Sequence, residues 1–409
     1  MEKESFKVYG YRWVVLAVFM LVILANQMMW ITFASITSIA SDYYAVSDLS
    51  IGLLSMSFMI VYIFVAIPAS WTIDTYGFRV GVGIGAALTG IFGLTRGLMA
   101  SNYTLVLISQ IGIAVGQPFI LNAITPLAAK WFPIGARAMA AGLGTLAMYV
   151  GIIAGLILTP YLVTGMGMEG MLIVSGMIGV AAAILFFVFA RERPPTPACP
   201  PGMEERSLMW VGLKQMLLNR NFILLLVVFF IGLGVFNSIT TWIEDILSPR
   251  GFSSTQAGIA GGLMVVGGVV GAVVLPMLSD RRRQRVPFLK LAILGATIGL
   301  AGVTFAMTYL LLLAASFLTG FFLLSAGPLG FQYGAEITYP APEGTSNGLL
   351  LMMGQISGIL FIFAMDAFKS PDTGSMTASL VVLIGFMIAG FVLSTQLKES
   401  TLLSGKPEG

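Results

Sequence analysis

The sequence predicts an all-α membrane protein: two similar six-helix bundles, twelve membrane-spanning helices in all. Three observations predict it. The chain of 409 residues is 57% hydrophobic and only 10% charged. Soluble domains carry about 25% charged residues, so the bilayer must be the solvent here. Apolar runs of the roughly 20 residues that cross a bilayer recur along the chain, and the two halves repeat each other.

The runs lie at 12–38, 51–73, 79–99, 103–131, 136–163 and 169–190, then at 221–246, 254–279, 286–307, 309–335, 345–369 and 375–396. The predicted organisation is an N-terminal bundle (1–190), a polar linker (191–220) and a C-terminal bundle (221–409). Pro194, Pro195, Pro197, Pro200 and Pro201 keep the linker from being one helix. Its Trp210–Leu218 stretch has the pattern of a short helix lying on the membrane surface. The single cysteine, Cys199, is in the linker and rules out an internal disulfide. The first apolar run is too long for a cleavable signal peptide and lacks a small-residue cleavage site.

Charge placement predicts orientation. With both termini in the cytoplasm, the inside receives Arg12, Arg79, Lys130, Arg137, the linker cations, Arg281, Arg282, Arg283, Arg285, Lys290 and Lys398. The outside receives only Arg96, Arg250 and Lys369. That bias matches the positive-inside rule and predicts a multi-pass protein of the cell (inner) membrane.

The repeat is visible in register. Asp74 in SWTIDTYGFR is matched 206 residues later by Asp280 in MLSDRRRQR. Pro133 and Pro340, and Gly151 and Gly358, are each 207 apart. Repeated halves with a site between them are a common plan for transporters. Asp74, Gly77 and Arg79 form a tight charged turn that resembles the signature loop of the major facilitator superfamily, with Ser70 and Thr75 departing from it. The resemblance implies the major facilitator fold. A carboxylate there can sit at the positive N-terminal end of a helix from the other half, near Gly344 to Ser346. Asp280 with Arg281 would do the mirror job near Ala136. We therefore expect a gating set of Asp74, Gly77, Arg79, Asp280, Arg281 and Glu336.

Ionisable residues deep in a membrane mark function, and no predicted span has one near its middle. Glu244, Asp245, Asp366 and Arg96 are placed toward outer helix ends, and Glu336 toward an inner end. This points to a facilitator or a weakly coupled carrier with a neutral or cationic substrate. The remaining interior polarity is amide and aromatic: Asn26, Gln27, Trp30 and Phe33 on the first span, Gln117 and Asn122 on the fourth, Asn237 on the seventh, Gln332 on the tenth and Gln355 on the eleventh. Trp30 and Phe33 are spaced for one helix face. A desolvated Trp face binds a quaternary ammonium with about 2 kcal/mol or more. Each amide has an alternative role as an interhelical hydrogen bond, worth about 0.6 kcal/mol. The glycines of the fifth and eighth spans, Gly151 and Gly271 among them, allow close helix packing.

The stretches EITYPAPEGTSNGLL at 336–350, GQISGILF with Gln355, QMMWITFASI around Trp30, GQPFILNAITPLAAKWF around Gln117, and the second span with its loop resemble the feline leukaemia virus subgroup C receptor family. The resemblance runs through both halves. It implies a uniporter-like transporter of choline or ethanolamine working by alternating access. The family's choline-pocket positions fall on Trp30, Met59, Gln117, Asn237 and Gln355. Asn237 stands where the family has a tyrosine, leaving Phe236 or Trp242 to supply an aromatic. Haem, also associated with the family, is disfavoured: the chain has no histidine, the commonest haem ligand. The compact linker and termini point to a prokaryotic relative.

The substrate-binding set is therefore Trp30, Phe33, Met59, Gln117, Asn122, Phe236, Asn237 and Gln355. Expected partners are a small-molecule substrate and the lipid bilayer, with no nucleic acid, cofactor or metal, in a monomer. No nucleophile–base pair points to an enzyme. Two rival readings stand beside this one. The first is a proton-coupled exporter of organic anions or drugs, with Glu336 as coupling group. The second is a non-transporting membrane receptor or sensor.

Overall fold

A computed structural model describes residues 8–196, 216–339 and 343–399. Pro197, Cys199, Pro200, Pro201, Pro340 and most of the Trp210–Leu218 stretch lie outside them. Among the described residues every regular element is helical. The chain divides into two compact units, Met1–Glu205 and Arg206–Gly409.

In the first unit, α1 (Arg12–Ile31) runs into a 3₁₀ turn (Thr32–Ser35) and a short α2 (Thr37–Tyr44). There follow α3 (Asp48–Tyr76), α4 (Phe78–Leu98), α5 (Tyr103–Leu121), α6 (Ile124–Trp131) and α7 (Ile134–Phe189). In the second, α8 (Arg220–Thr241) breaks at Trp242 into a five-residue α9 (Ile243–Leu247). The unit continues with α10 (Ser254–Arg282), α11 (Val286–Phe305), α12 (Tyr309–Thr338), α13 (Glu343–Ala367) and α14 (Thr377–Ser394).

Among the described residues, eleven stretches are long and apolar enough to cross a membrane. One of them, Met139–Phe189, has 51 residues, more than twice what a bilayer core requires. Gly167 breaks it with φ 73° and ψ 178°, a conformation that side-chain-bearing residues avoid. It therefore makes two crossings, and each unit has six. Large apolar side chains such as Phe64, Ile67, Leu310 and Val273 are exposed on these helices. That is the pattern of a surface solvated by lipid.

Local sequence starts several helices. Ser47 Oγ accepts from Ser50 N at the head of α3, and Asn102 from Leu105 N at α5. Asn219 caps α8, and Ser253 with Gln256 forms a reciprocal capping box on α10. Within each unit the core is apolar. Val15, Phe19, Phe78, Phe132 and Phe186 cluster at the end of the first unit where α1 begins, which we call its near end. Phe33, Ile36, Leu54 and Leu172 cluster at the far end. Phe222, Leu225, Phe229, Leu289 and Tyr333 form the corresponding near-end core of the second unit.

Helices α10 and α12 cross with their backbones in contact. A Cβ added at Gly271 would collide with the carbonyl oxygen of Phe321, and one at Gly320 with that of Met264. Such contacts give membrane helices the dispersion energy that hydrophobic burial cannot supply in lipid. Gly320→Val is therefore expected to force the pair apart, costing about 1–3 kcal/mol and lowering the unfolding temperature in detergent by several degrees. Gly142→Ala, with nothing within 4 Å, is expected to leave it unchanged or slightly raised in the same assay.

Candidate functional site

The first helix stops being α-helical immediately after the residues of interest. Trp30 is the penultimate residue of α1 and is 7% exposed; its indole Nε1 donates to the Ser55 carbonyl of α3 at 3.2 Å. Ser55 Oγ returns a bond to the Trp30 carbonyl at 3.4 Å. The chain passes into the 3₁₀ turn between Trp30 and Phe33, and Phe33 packs fully buried in the far-end core. The Arg96 guanidinium already lies 5.7 Å from its ring centroid. Met59, on α3, and Phe236, on α8, are also buried.

The interior amides divide into two groups. Asn26 donates to Thr89 Oγ1 and the Ile113 carbonyl, and Gln27 to Asn26. Asn122 accepts from Tyr62 Oη at 2.9 Å and donates to the Ala66 carbonyl and Ser70 Oγ. This seams α5 to α3. Asn237 donates to the Gly354 carbonyl at 3.1 Å, tying α8 to α13, and Gln332 donates to Glu336. The indole of Trp242 is fully buried and bonds to the Ile362 carbonyl, which braces the break between α8 and α9 against α13. Gln117, 6% exposed, and Gln355, half-buried, carry no hydrogen bond among the described residues. Those two amides alone among the amide candidates are uncommitted.

The charged loops hold a pair of clamps that sequence reading missed. Helix α4 has no local side-chain cap, and Glu192, beyond the end of α7, takes that role. Its Oε2 accepts from Arg79 N at 2.7 Å, and its Oε1 pairs with Lys130 of α6. Gly77, with φ 93°, leaves room for this carboxylate; a Cβ there would collide with Glu192. Thus the Arg79 backbone, more than its side chain, does the work in this turn. In the second unit α11 also lacks a local side-chain cap. Glu399, beyond α14, accepts from Arg285 N at 2.6 Å and from Val286 N at 3.2 Å. Glu192 and Glu399 are 207 residues apart, as are Arg79 and Val286. The same offset relates Pro133 to Pro340, so the signal was present in the sequence.

Asp280 does not work with Arg281, which is exposed. Arg283 adopts a left-handed conformation (φ 51°) that turns the chain back on itself. Arg285 then meets both Asp280 and Glu336, the latter at 3.0 Å. Burial pulls the Arg285 pKa down, but its hydrogen bonds and proximity to Asp280 and Glu336 outweigh that and hold it above the usual arginine value. Glu336 is thereby committed to an ion pair within its own unit. Asp74 is exposed and has no ion pair among the described residues.

The sequence reading expected no charge near the middle of a span; at the far ends, charge is buried inside the protein. Arg96 is in the last turn of α4 as predicted, yet it is fully buried inside the first unit instead of facing the outer surface. Glu244 and Asp245 are also buried, and Asp245 pairs with Lys369 at 2.9 Å. Terminal position in a helix is not exposure, because α1, α5 and α7 rise past the end of α4 and enclose it.

Gly77→Ala is expected to destabilise the protein by about 1–3 kcal/mol, through a strained backbone and displacement of Glu192. Glu192→Gln, whose ion pair is one-third exposed, is expected to cost about 1 kcal/mol or less. Thermal unfolding of both variants in one detergent checks the order.

Comparison with known proteins accords with this architecture. The sequence profile of the Major Facilitator Superfamily matches residues 18–362. Solute carrier family 49 member A3 of Xenopus tropicalis is 30% identical over 389 residues, covering 90% of this chain and 80% of the relative. The choline/ethanolamine transporter FLVCR1 of Mus musculus is 30% identical over 429 residues, covering 95% and 75%. A bacterial homologue of the human lysosomal transporter Spinster shares the fold, with a TM-score of 0.73 at 16% identity over 97% of both chains. With two six-crossing units and a profile match over most of its length, the chain belongs to the Major Facilitator Superfamily and is a multi-pass membrane transporter.

Proposed function

We propose that the protein carries a choline-like amine across the cell inner membrane by alternating access, as a facilitator, working as a monomer with both termini cytoplasmic. The observation that carries this reading is the division of the amides. Five of the seven make hydrogen bonds within the protein, whereas Gln117 and Gln355 make none among the described residues. An unsatisfied amide in a low-dielectric interior is costly unless a ligand or water completes it. These two occupy positions where the similar choline/ethanolamine transporters carry pocket glutamines, by the motif resemblance. Trp30, held by its own Nε1–H, has the aromatic face that an onium group requires. A small amine that carries a hydroxyl is the substrate class this reading favours, because a glutamine amide can bond the hydroxyl and an indole face can receive the onium group.

The proton-coupled alternative has less support. Glu336 is held by Arg285 and Gln332, and Asp280 by Arg285, so neither is poised as a lone coupling carboxylate.

Trp30→Ala is expected to abolish saturable choline uptake in proteoliposomes and choline-induced thermal stabilisation, while the protein still folds. Gln117→Leu and Gln355→Leu are each expected to weaken choline binding about 10-fold, the loss of one hydrogen bond to a charged or polar ligand. Unchanged affinity in all three variants would refute the assignment. Uptake that depends on a proton gradient in the wild type would favour the exporter reading.

A further inference from the structure

Arg96 is a full positive charge buried in the first unit, and no carboxylate pairs with it among the described residues. Its Nη1 donates to Gln110 Oε1 at 2.6 Å and to the Met29 carbonyl at 3.2 Å, and its Nη2 donates to Ser175 Oγ at 3.0 Å. Gln110 Nε2 also donates to the Met29 carbonyl, at 3.1 Å. Two side chains from two other helices therefore converge on one carbonyl of α1. That carbonyl belongs to the residue before Trp30, two residues before the helix gives way to the 3₁₀ turn. On the other side of Trp30, Ser55 holds both the indole and the Trp30 carbonyl. The Met29–Trp30 segment is gripped by three helices.

Stability alone does not account for this arginine. Its Nε is buried without a partner, and a charge in the membrane held only by neutral acceptors is unfavourable compared with an apolar residue of similar volume. The repeat does not need it either. The position 207 residues later is Val303, and the second unit braces its own broken first helix with Trp242 on the Ile362 carbonyl. What Arg96 has in addition is a directional, multi-donor hold on the turn that carries Trp30.

We infer that Arg96, seconded by Gln110, is a positioning residue: it holds the last α-helical turn of α1 so that the Trp30 indole is fixed in the orientation that receives substrate. The substrate part of this statement rests on the function proposed above; the structural part does not.

The test uses the full-length protein in detergent, labelled with 5-fluorotryptophan. Trp30 is assigned by the ¹⁹F line lost in Trp30→Phe. Arg96→Met is expected to shift or broaden the Trp30 line and leave the other five tryptophan lines in place. Arg96→Lys is expected to restore it part-way, and Gln110→Leu to move it in the same direction as Arg96→Met. An unmoved Trp30 line in both Arg96→Met and Gln110→Leu overturns the inference, and if Arg96→Met does not fold, an unmoved line in Gln110→Leu does so alone. Choline binding gives the second arm: about 10-fold weaker affinity in Arg96→Met, with unchanged binding capacity, supports the positioning role. A moved line with choline affinity unaltered in both Arg96→Met and Trp30→Ala supports the Arg96–Trp30 linkage and overturns the substrate assignment of Trp30 instead.

Discussion

The hydrogen bonding of helix ends and breaks governs this structure. A bilayer has no water to receive the free N–H and C=O groups that every helix terminus leaves. Where a helix starts, stops or changes type away from water, the protein's own groups are the partners at hand. Helices whose preceding residues can cap them do so locally, as Ser47, Asn102, Asn219 and Ser253 do. Helices α4 and α11 have no such residue, and a glutamate from beyond each unit's last helix takes over. The break after Trp30 is served by Arg96 and Gln110, and the break at Trp242 by that residue's own indole.

The same requirement separates structural polarity from polarity available to a ligand. Asn122 closes a seam between α3 and α5 with three hydrogen bonds, and Asn237 fastens α8 to α13. Each resembles a site residue in sequence, being a polar side chain on a cavity-lining span. Their partners are backbone carbonyls and hydroxyls of neighbouring helices: Asn122 spends both of its N–H donors on them, and Asn237 spends one. Gln117 and Gln355 have the same chemistry without the partners. The distinction is one of satisfaction, since the polarity is equal in the two groups.

Charge follows a related logic. The inner-loop cations read as topogenic in the sequence also have structural duties: Lys130 holds Glu192, and Arg285 gathers Asp280 and Glu336. The two units solve the loop in different ways on one plan. The first keeps Asp74 exposed and pairs its clamp glutamate with a lysine, whereas the second neutralises Asp280 and Glu336 with one arginine. The repeat is thus kept in backbone geometry and differs in its side chains.

Apolar length, the break at a glycine, the capping residues and the offset between halves are local or periodic properties, so the sequence by itself determined the twelve crossings, their order and the repeat. Only the tertiary structure decided which polar groups are satisfied. Arg96 finds its partners on α1, α5 and α7, at positions 29, 110 and 175, and Glu192 reaches back to position 79. Hydrogen bonds are directional and short in range, so a partner is defined by where folding places it and not by its distance along the chain.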